Sequence, residues 1–330
     1  MRALWGVVGA CALLVLTGAA PAAVAADGKG DQNFTIEDSR ITESSGLAAS
    51  HQHPGIYWTH NDQDTGSYLY AVDSGTGKTV ARVTLAGVGR QRDVEAVSIG
   101  PDNQIYVGDI GDNDGVSWPY VWIYQLPEPK ELKDQTIRAK QYVVKYTDGS
   151  RDAESMIVHP KTGRVYIIDK QEDGGHLYEG PAQLSTSGAN IFKPVEPVDL
   201  WATDAAFSPD GRHLAVRGYF GGIWYDWNGG DLKKEGRLSV PLGQGESVSY
   251  SADGTTLMLG SEGEGSEVVA QDAPGGGDGS SDSASGGGSS AQGGDGDGGG
   301  GSGTVKVGAL AVAAVVAVVL GFRRLSRPRR

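Results

Sequence analysis

Residues Asp93 to Asn113 read DVEAVSIGPDNQIYVGDIGDN: an acidic entry, an apolar run, a Pro-Asp-Asn turn, a second apolar run and an acidic exit. Two short strands joined by a tight turn fit this pattern. Altered copies begin at Ser45 (SGLAASHQHPGIYWTHND), Asp152 (DAESMIVHPKTGRVYIIDK), Thr203 (TDAAFSPDGRHLAVRGY) and Gly245 (GESVSYSADGTTLMLGSE). A strand pair that recurs every roughly 40 to 60 residues marks a repeat architecture, most naturally a β-propeller.

Working outward from these pairs, four strands can be drawn in most units. The first uses GLAAS, GIYWTH, YLYAVD and TVARVTLA. The second uses VEAVSI, QIYVGD, VWIYQL and RAKQYVVKY, the last two separated by the insertion PEPKELKDQ. The third uses AESMIV, RVYIID, HLYEG and a strand near Val195 to Leu200, and the fourth DAAFS, HLAVRG, GIWYDW and LKKEGRLSV. The fifth has only ESVSYS, TLMLGS and EVVAQ, while Phe34 to Ile41 alternates as a strand with no unit of its own. Completing the last unit with this N-terminal strand closes the ring and removes an edge. The expectation is an all-β propeller of five four-stranded blades, with six blades as the alternative.

The ends have a different character. Residues 1–26 carry one Arg, an apolar stretch and the small-residue string Ala23-Val24-Ala25, as an export signal peptide does. Cys11 is the only cysteine, so cleavage leaves a mature chain without disulfides or thiolate metal sites. The propeller is expected over 27–272 and a Gly/Ser/Asp-rich linker over 273–304. An apolar transmembrane helix is expected over 305–322 and a basic cytoplasmic tail over 323–330. The five Arg of the tail place it inside by the positive-inside rule, so the bulk of the chain faces outward from the cell membrane on a single-pass anchor.

The chain has 41 acidic and 28 basic residues, and seven of the basic ones lie in the two terminal segments. The outer portion is therefore strongly acidic. That excludes nucleic acid as a natural partner and suits cations, basic ligands or solubility. No HExxH, GxSxG or phosphate-loop string occurs, so zinc-peptidase, serine-hydrolase and nucleotide chemistries find no motif here.

In a propeller the inner strand of each blade starts at the end that also carries the loop between the second and third strands. Asp93, Glu95, Asp152, Glu154, Asp204 and Glu246 stand at the inner-strand entries, and Asn61, Asp62, Asp109, Asp112, Asn113, Asp169, Lys170 and Arg217 follow the second strands. The compact HPG, PDN, PKTG, SPDG and SADG turns fall at the opposite, structural end. Carboxylates crowded round an axis repel one another unless a cation, a proton or hydrogen bonds compensate them. Ca²⁺, which takes six to eight oxygens, is the cofactor expected of such a ring, with capping of backbone N–H groups as the alternative use of the same acids. Aromatic residues in GIYWTH, SWPYVWIY and GYFGGIWYDW could stack on sugars or fill the gaps between blades.

At Ser45-Gly46-Leu47 and Asp93-Val94-Glu95-Ala96-Val97 the sequence resembles five-bladed propellers of the SdiA-regulated family and, more loosely, the esterase-like-phytase and NHL-type propellers. Ala96 stands where those families place a glycine, and Asp152-Ala153-Glu154 repeats the acidic pair. The resemblance implies a calcium-binding propeller. Two functions are compatible with it. One is a membrane-tethered, monomeric ligand-binding or scaffold module that engages an envelope ligand or small molecule. The other is a metal-assisted phosphoesterase or lactonase in which Glu95 or Glu154 acts as base and Lys170 and Arg217 hold an anion.

Overall fold

The computed structural model describes residues 31–274 except 63–65, 114 and 242–244. These residues all fall in one compact unit, Met1–Gly279. The signal peptide, nearly all of the linker, the membrane helix and the basic tail expected from the sequence lie outside the described residues. Among the described residues no helix is long and apolar enough to cross a membrane.

The fold is all-β and propeller-like, and among the described residues the one helical element is a short 3-10 turn at Pro101–Asn103. The first strand set contains β2 (Leu47–Ala49), β3 (Ile56–Thr59), β4 (Tyr68–Asp73) and β5 (Thr79–Ala86), following a short β1 (Phe34–Thr35). The next runs β6 (Val94–Gly100), β7 (Gln104–Asp109), β8 (Val121–Pro127), β9 (Gln135–Arg138) and β10 (Lys140–Tyr146). Then come β11 (Ala153–Val158), β12 (Val165–Asp169), β13 (Gly175–Glu179) and β14 (Ala189–Val198). The chain continues through β15 (Ala202–Phe207), β16 (His213–Gly218), β17 (Gly221–Asn228) and β18 (Asp231–Leu238). It finishes with β19 (Gly245–Tyr250), β20 (Thr256–Ser261) and β21 (Glu267–Asp272).

Apart from β9, which leaves β8 to pair with β10, consecutive strands pair antiparallel within each set, and the first strands β2, β6, β11, β15 and β19 contact one another in a closed circuit. These inner strands are buried along nearly their whole length, so they read as continuous small or apolar runs, with little alternation. The hydrophobic core is accordingly divided into wedges, each shared by two neighbouring strand sets; one holds Trp58, Leu69, Val83, Val97, Ile105 and Tyr124 together.

Three features depart from the expected layout. The N-terminal strand is only Phe34–Thr35, although it does pair antiparallel with β21, and beyond it Ile36 and Ile41 are buried in irregular backbone. The charged insertion before β10 forms β9, which pairs parallel with β5 of the preceding set. The strand expected near Val195 begins earlier, at Ala189, and pairs parallel with β10 as well as antiparallel with β13. Both parallel pairings cover strand edges that would otherwise be open.

The insertion also supplies a buried staple. Glu128 is 3% exposed and accepts hydrogen bonds from Trp58 Nε1 at 2.8 Å and Gln52 Nε2 at 3.3 Å, with the Ser50 hydroxyl at 2.5 Å. Replacing Glu128 by Ala strands these buried donors. We expect a loss on the order of 3 kcal/mol, measured by denaturant unfolding, with Glu128→Gln milder because it keeps an acceptor.

At the same end as this staple, which sits against the HPG and PDN turns, two further turns are built alike. Ser208 and Ser251 hydroxyls donate at 2.6 Å to Asp210 and Asp253, which accept the N–H groups of Arg212 and Thr255 at 3.0 Å. Gly211 and Gly254 hold φ of 75° and 76°, a region that penalises any Cβ. Partial burial alone would raise the Asp210 carboxyl, but the Ser208 hydroxyl and Arg212 hold it at about 2, below its ordinary 3.8. A depressed folded-state value means that stability is present above 3.8 and is lost as pH falls through about 2. Asp210→Asn should therefore lower stability at neutral pH and flatten the decline between pH 4 and 2 in an acid-unfolding series.

Candidate functional site

The entries of the inner strands and the exits of the second strands lie at one end. The register pairs Val94 with Asp109, Ala153 with Asp169 and Gly245 with Ser261. Each of these pairings is followed by a bulge, and the residues extruded there are Glu95, Glu154 and Glu246. A bulge inserts one unpaired residue and re-aims its side chain, so one local device presents a glutamate from three inner strands. On β15 the same position is Thr203, and Asp204 lies one residue further along, paired with Arg217.

On the first set the position falls at Gly46. A Cβ there would come within 2.7 Å of His60 Nε2 and 2.9 Å of Val97 N. The imidazole of His60, delivered from the end of β3, thus occupies the space that an inner-strand side chain would need. His60 is 1% exposed, its Nε2 has no protein partner, and burial pushes its pKa down to about 4. The sequence puts His60 at the exit of a second strand, but a histidine carries no repeat signal; Gly46 at an otherwise acidic position is the sign that another side chain fills the space.

The carboxylates do not act as one ring. Asp62, Asp93 and Glu95 come together, each offering an oxygen within 4.8 Å of the others. All three are buried. Asp93 accepts a hydrogen bond from Asn113 Nδ2 at 3.0 Å, whereas Asp62 Oδ1 and Glu95 Oε1 lack any protein donor. Burial, reinforced by Glu43, Asp93 and Glu262, pushes Asp62 up to about 9. Burial and then Asp93 and Glu154 drive Glu95 upward in the same way. Two neighbouring buried acids are thus pushed toward their protonated forms, each with one oxygen that lacks a protein donor.

Most of the other acids have at least partial local compensation, although Asp112 Oδ1, Glu154 Oε2 and Glu246 Oε1 accept no hydrogen bond. Lys170 Nζ forms an ion pair with Glu154, their side chains 6% and 2% exposed. Asp204 accepts Ala205 N and Val248 N, both at 2.8 Å, which offsets the upward push of burial on its pKa. Asp152 accepts Asp112 N at 3.0 Å, and Asp112 accepts Trp118 N at 2.7 Å. Asp109 accepts the Tyr124 hydroxyl at 2.7 Å and Asp93 N at 3.0 Å. Asp169 accepts His176 N at 2.6 Å and faces Arg151 at 3.5 Å. Asn61 takes Thr42 N and Glu43 N on its oxygen and donates to Arg40 O, so it binds the N-terminal segment.

Arg217 likewise serves the fold. Burial lowers its pKa to about 10, against the pull of Glu246 and Asp204, and its Nη1 donates to Ser247 O and Gly260 O at 2.8 Å. Of the six acids expected to ligate metal, the structure thus brings Asp93 and Glu95 into a shared cluster, and adds Asp62 from the group expected to line the ligand face.

No protein-family model matches the chain, and no curated protein matches it by sequence. Among solved structures it is similar to hydrazine synthase from Kuenenia stuttgartiensis, with 13% identity and a TM-score of 0.38 over 67% of this chain and 56% of that one. It is also similar to a candidate 6-phosphogluconolactonase from Bacteroides uniformis, with 14% identity and a TM-score of 0.37 over 66% of this chain and 64% of that one. The chain spans less than two thirds of either protein, and neither likeness bears on activity or substrate.

The buried Lys170–Glu154 pair gives a direct check on its role. Removing one partner strands a charge: Lys170→Met should cost roughly 3 to 5 kcal/mol. The double variant Lys170→Met with Glu154→Leu should recover most of that loss in denaturant unfolding, because no charge then remains buried.

Proposed function

We propose that this chain is a five-bladed β-propeller, displayed outside a cell membrane by its C-terminal apolar segment, whose acidic end is a cation-dependent ligand-binding site. The blade count is supported by five inner strands in closed contact, with β1 completing the set of β19 to β21. The apolar run over 305–322 and the Arg-rich end support the anchor.

The observation that carries the functional reading is the cluster of Asp62, Asp93 and Glu95, with two buried carboxylate oxygens lacking donors. All-oxygen donors and no thiolate suit a hard cation, and Ca²⁺ tolerates the irregular geometry of ligands drawn from a loop and an inner strand. The hydrolase alternative has less support. Lys170 is engaged by Glu154 and Arg217 by two carbonyls, so the groups expected to hold an anionic substrate are already committed.

Calorimetric titration of the chelator-treated chain with Ca²⁺ tests this reading. A single strong site should appear, and saturation at about 100 times Kd should add roughly 2.7 kcal/mol. For a domain of this size that raises Tm by about 5 to 10 °C. Glu95→Gln and Asp62→Asn should abolish both effects. Absence of heat and of any Tm shift in the unmutated chain overturns the reading.

A further inference from the structure

The end that carries the acidic cluster also carries loops of unusual composition. Among the described residues six large apolar side chains are exposed, and three of them, Val116 (41%), Tyr120 (38%) and Phe220 (54%), belong to loops between second and third strands at the acidic end. Val116 also adopts φ of 50°, a left-handed conformation that a β-branched residue strongly disfavours. Phe220 occupies the two-residue connection from β16 to β17, where a polar or small residue costs nothing and an exposed phenyl ring gains nothing in the free protein.

These residues extend two ordered aromatic walls. In one, the Arg92 guanidinium lies 3.9 Å from the centres of both Trp118 and Trp122 and donates to Tyr120 O at 3.0 Å, and Tyr120 leans on Trp122 at 5.7 Å. Arg92 directly precedes Asp93, so this wall is tied to a member of the cation cluster. In the other, Trp201 meets Tyr219 edge-on at 5.1 Å, Tyr219 meets Phe220 at 6.2 Å, and Lys170 Nζ lies 5.3 Å from the Tyr219 ring. Aromatics elsewhere in the same sequence stretches, such as Trp58, Tyr124 and Tyr225, are buried between strand sets.

We propose that the ligand of this end is a neutral sugar, whose neighbouring hydroxyls complete the oxygen shell of the cation at Asp62, Asp93 and Glu95 while its C–H face packs on Tyr120 or Phe220. The inference rests on the cation reading above. Three carboxylates leave a six- to eight-oxygen shell unfilled, and the further oxygens can come from a polyol. Glu43 and Glu262 add negative charge beside Asp62, so phosphate or carboxylate groups meet a repulsive field, which a neutral hydroxyl does not. Exposed, rigidly backed rings supply the apolar contact that a sugar face needs.

The test uses the full chain on an array of neutral oligosaccharides built from glucose, galactose, mannose and N-acetylglucosamine, alongside sulfated and uronic-acid glycans, with Ca²⁺ or with chelator. Retention of at least one neutral glycan is expected, lost on chelation. It should fall at least tenfold in Tyr120→Ala or Phe220→Ala, both surface substitutions, while calorimetric Ca²⁺ binding by those variants is unchanged. If Ca²⁺ binds but no neutral glycan is retained, only acidic glycans are retained, or neither variant weakens retention, the sugar proposal falls and the cation reading stands. If Ca²⁺ does not bind, both fall.

Discussion

Inner strands that converge on a narrow axis bring their first residues close together, and everything those residues carry has to be neutralised within a few ångströms. This constraint organises the acidic end of the molecule. Carboxylates appear there from several strand sets, and each is answered differently. Glu154 is answered by a lysine, Asp204 by backbone N–H groups, and Asp109 by a tyrosine hydroxyl and backbone N–H groups. Among the described residues, only at Asp62, Asp93 and Glu95 do three acids meet with oxygens still lacking donors. The proposed cation site is the cluster that remains after local compensation has dealt with most of the rest.

The repeated strand pair was legible because its physics is local: apolar runs, turn residues and acidic flanks follow one another within about twenty residues. Strand positions in the first and fourth sets fall close to where the sequence places them. Errors arise where tertiary contacts decide. Nothing in QTIR announces that it will pair parallel with a strand some fifty residues earlier, and Phe34 to Ile41 alternates like a strand but forms none beyond Thr35, where only Ile36 and Ile41 are buried. In the site, spacing correctly put the acidic entries and exits at one end. It could not show which acids would find donors, because Lys170, Val248 N and Tyr124 reach them only through folding. Asp204 is offset by one residue because Thr203 occupies the equivalent bulge.

His60 and Gly46 illustrate a related limit. A repeat is usually read by matching residues at equivalent positions, yet here one position is filled from a different strand. Glycine leaves the space and histidine enters it, so the equivalence lies in occupied volume and not in alignment.

The parallel pairings of β9 with β5 and β10 with β14 have a mechanical consequence. They lace the sets from β2 to β14 together through main-chain hydrogen bonds, while β15 to β18 meet their neighbours through side chains: the His159, Tyr166, Phe207 and Trp227 rings on one flank, and Arg217, Asp204 and Thr203 on the other. The ring is thus a continuous arc closed by a more loosely fastened segment. Under tension or partial unfolding, the seams beside β15 to β18 are where it parts first, and the arc bearing Asp62, Asp93 and Glu95 is the portion that holds its shape longest.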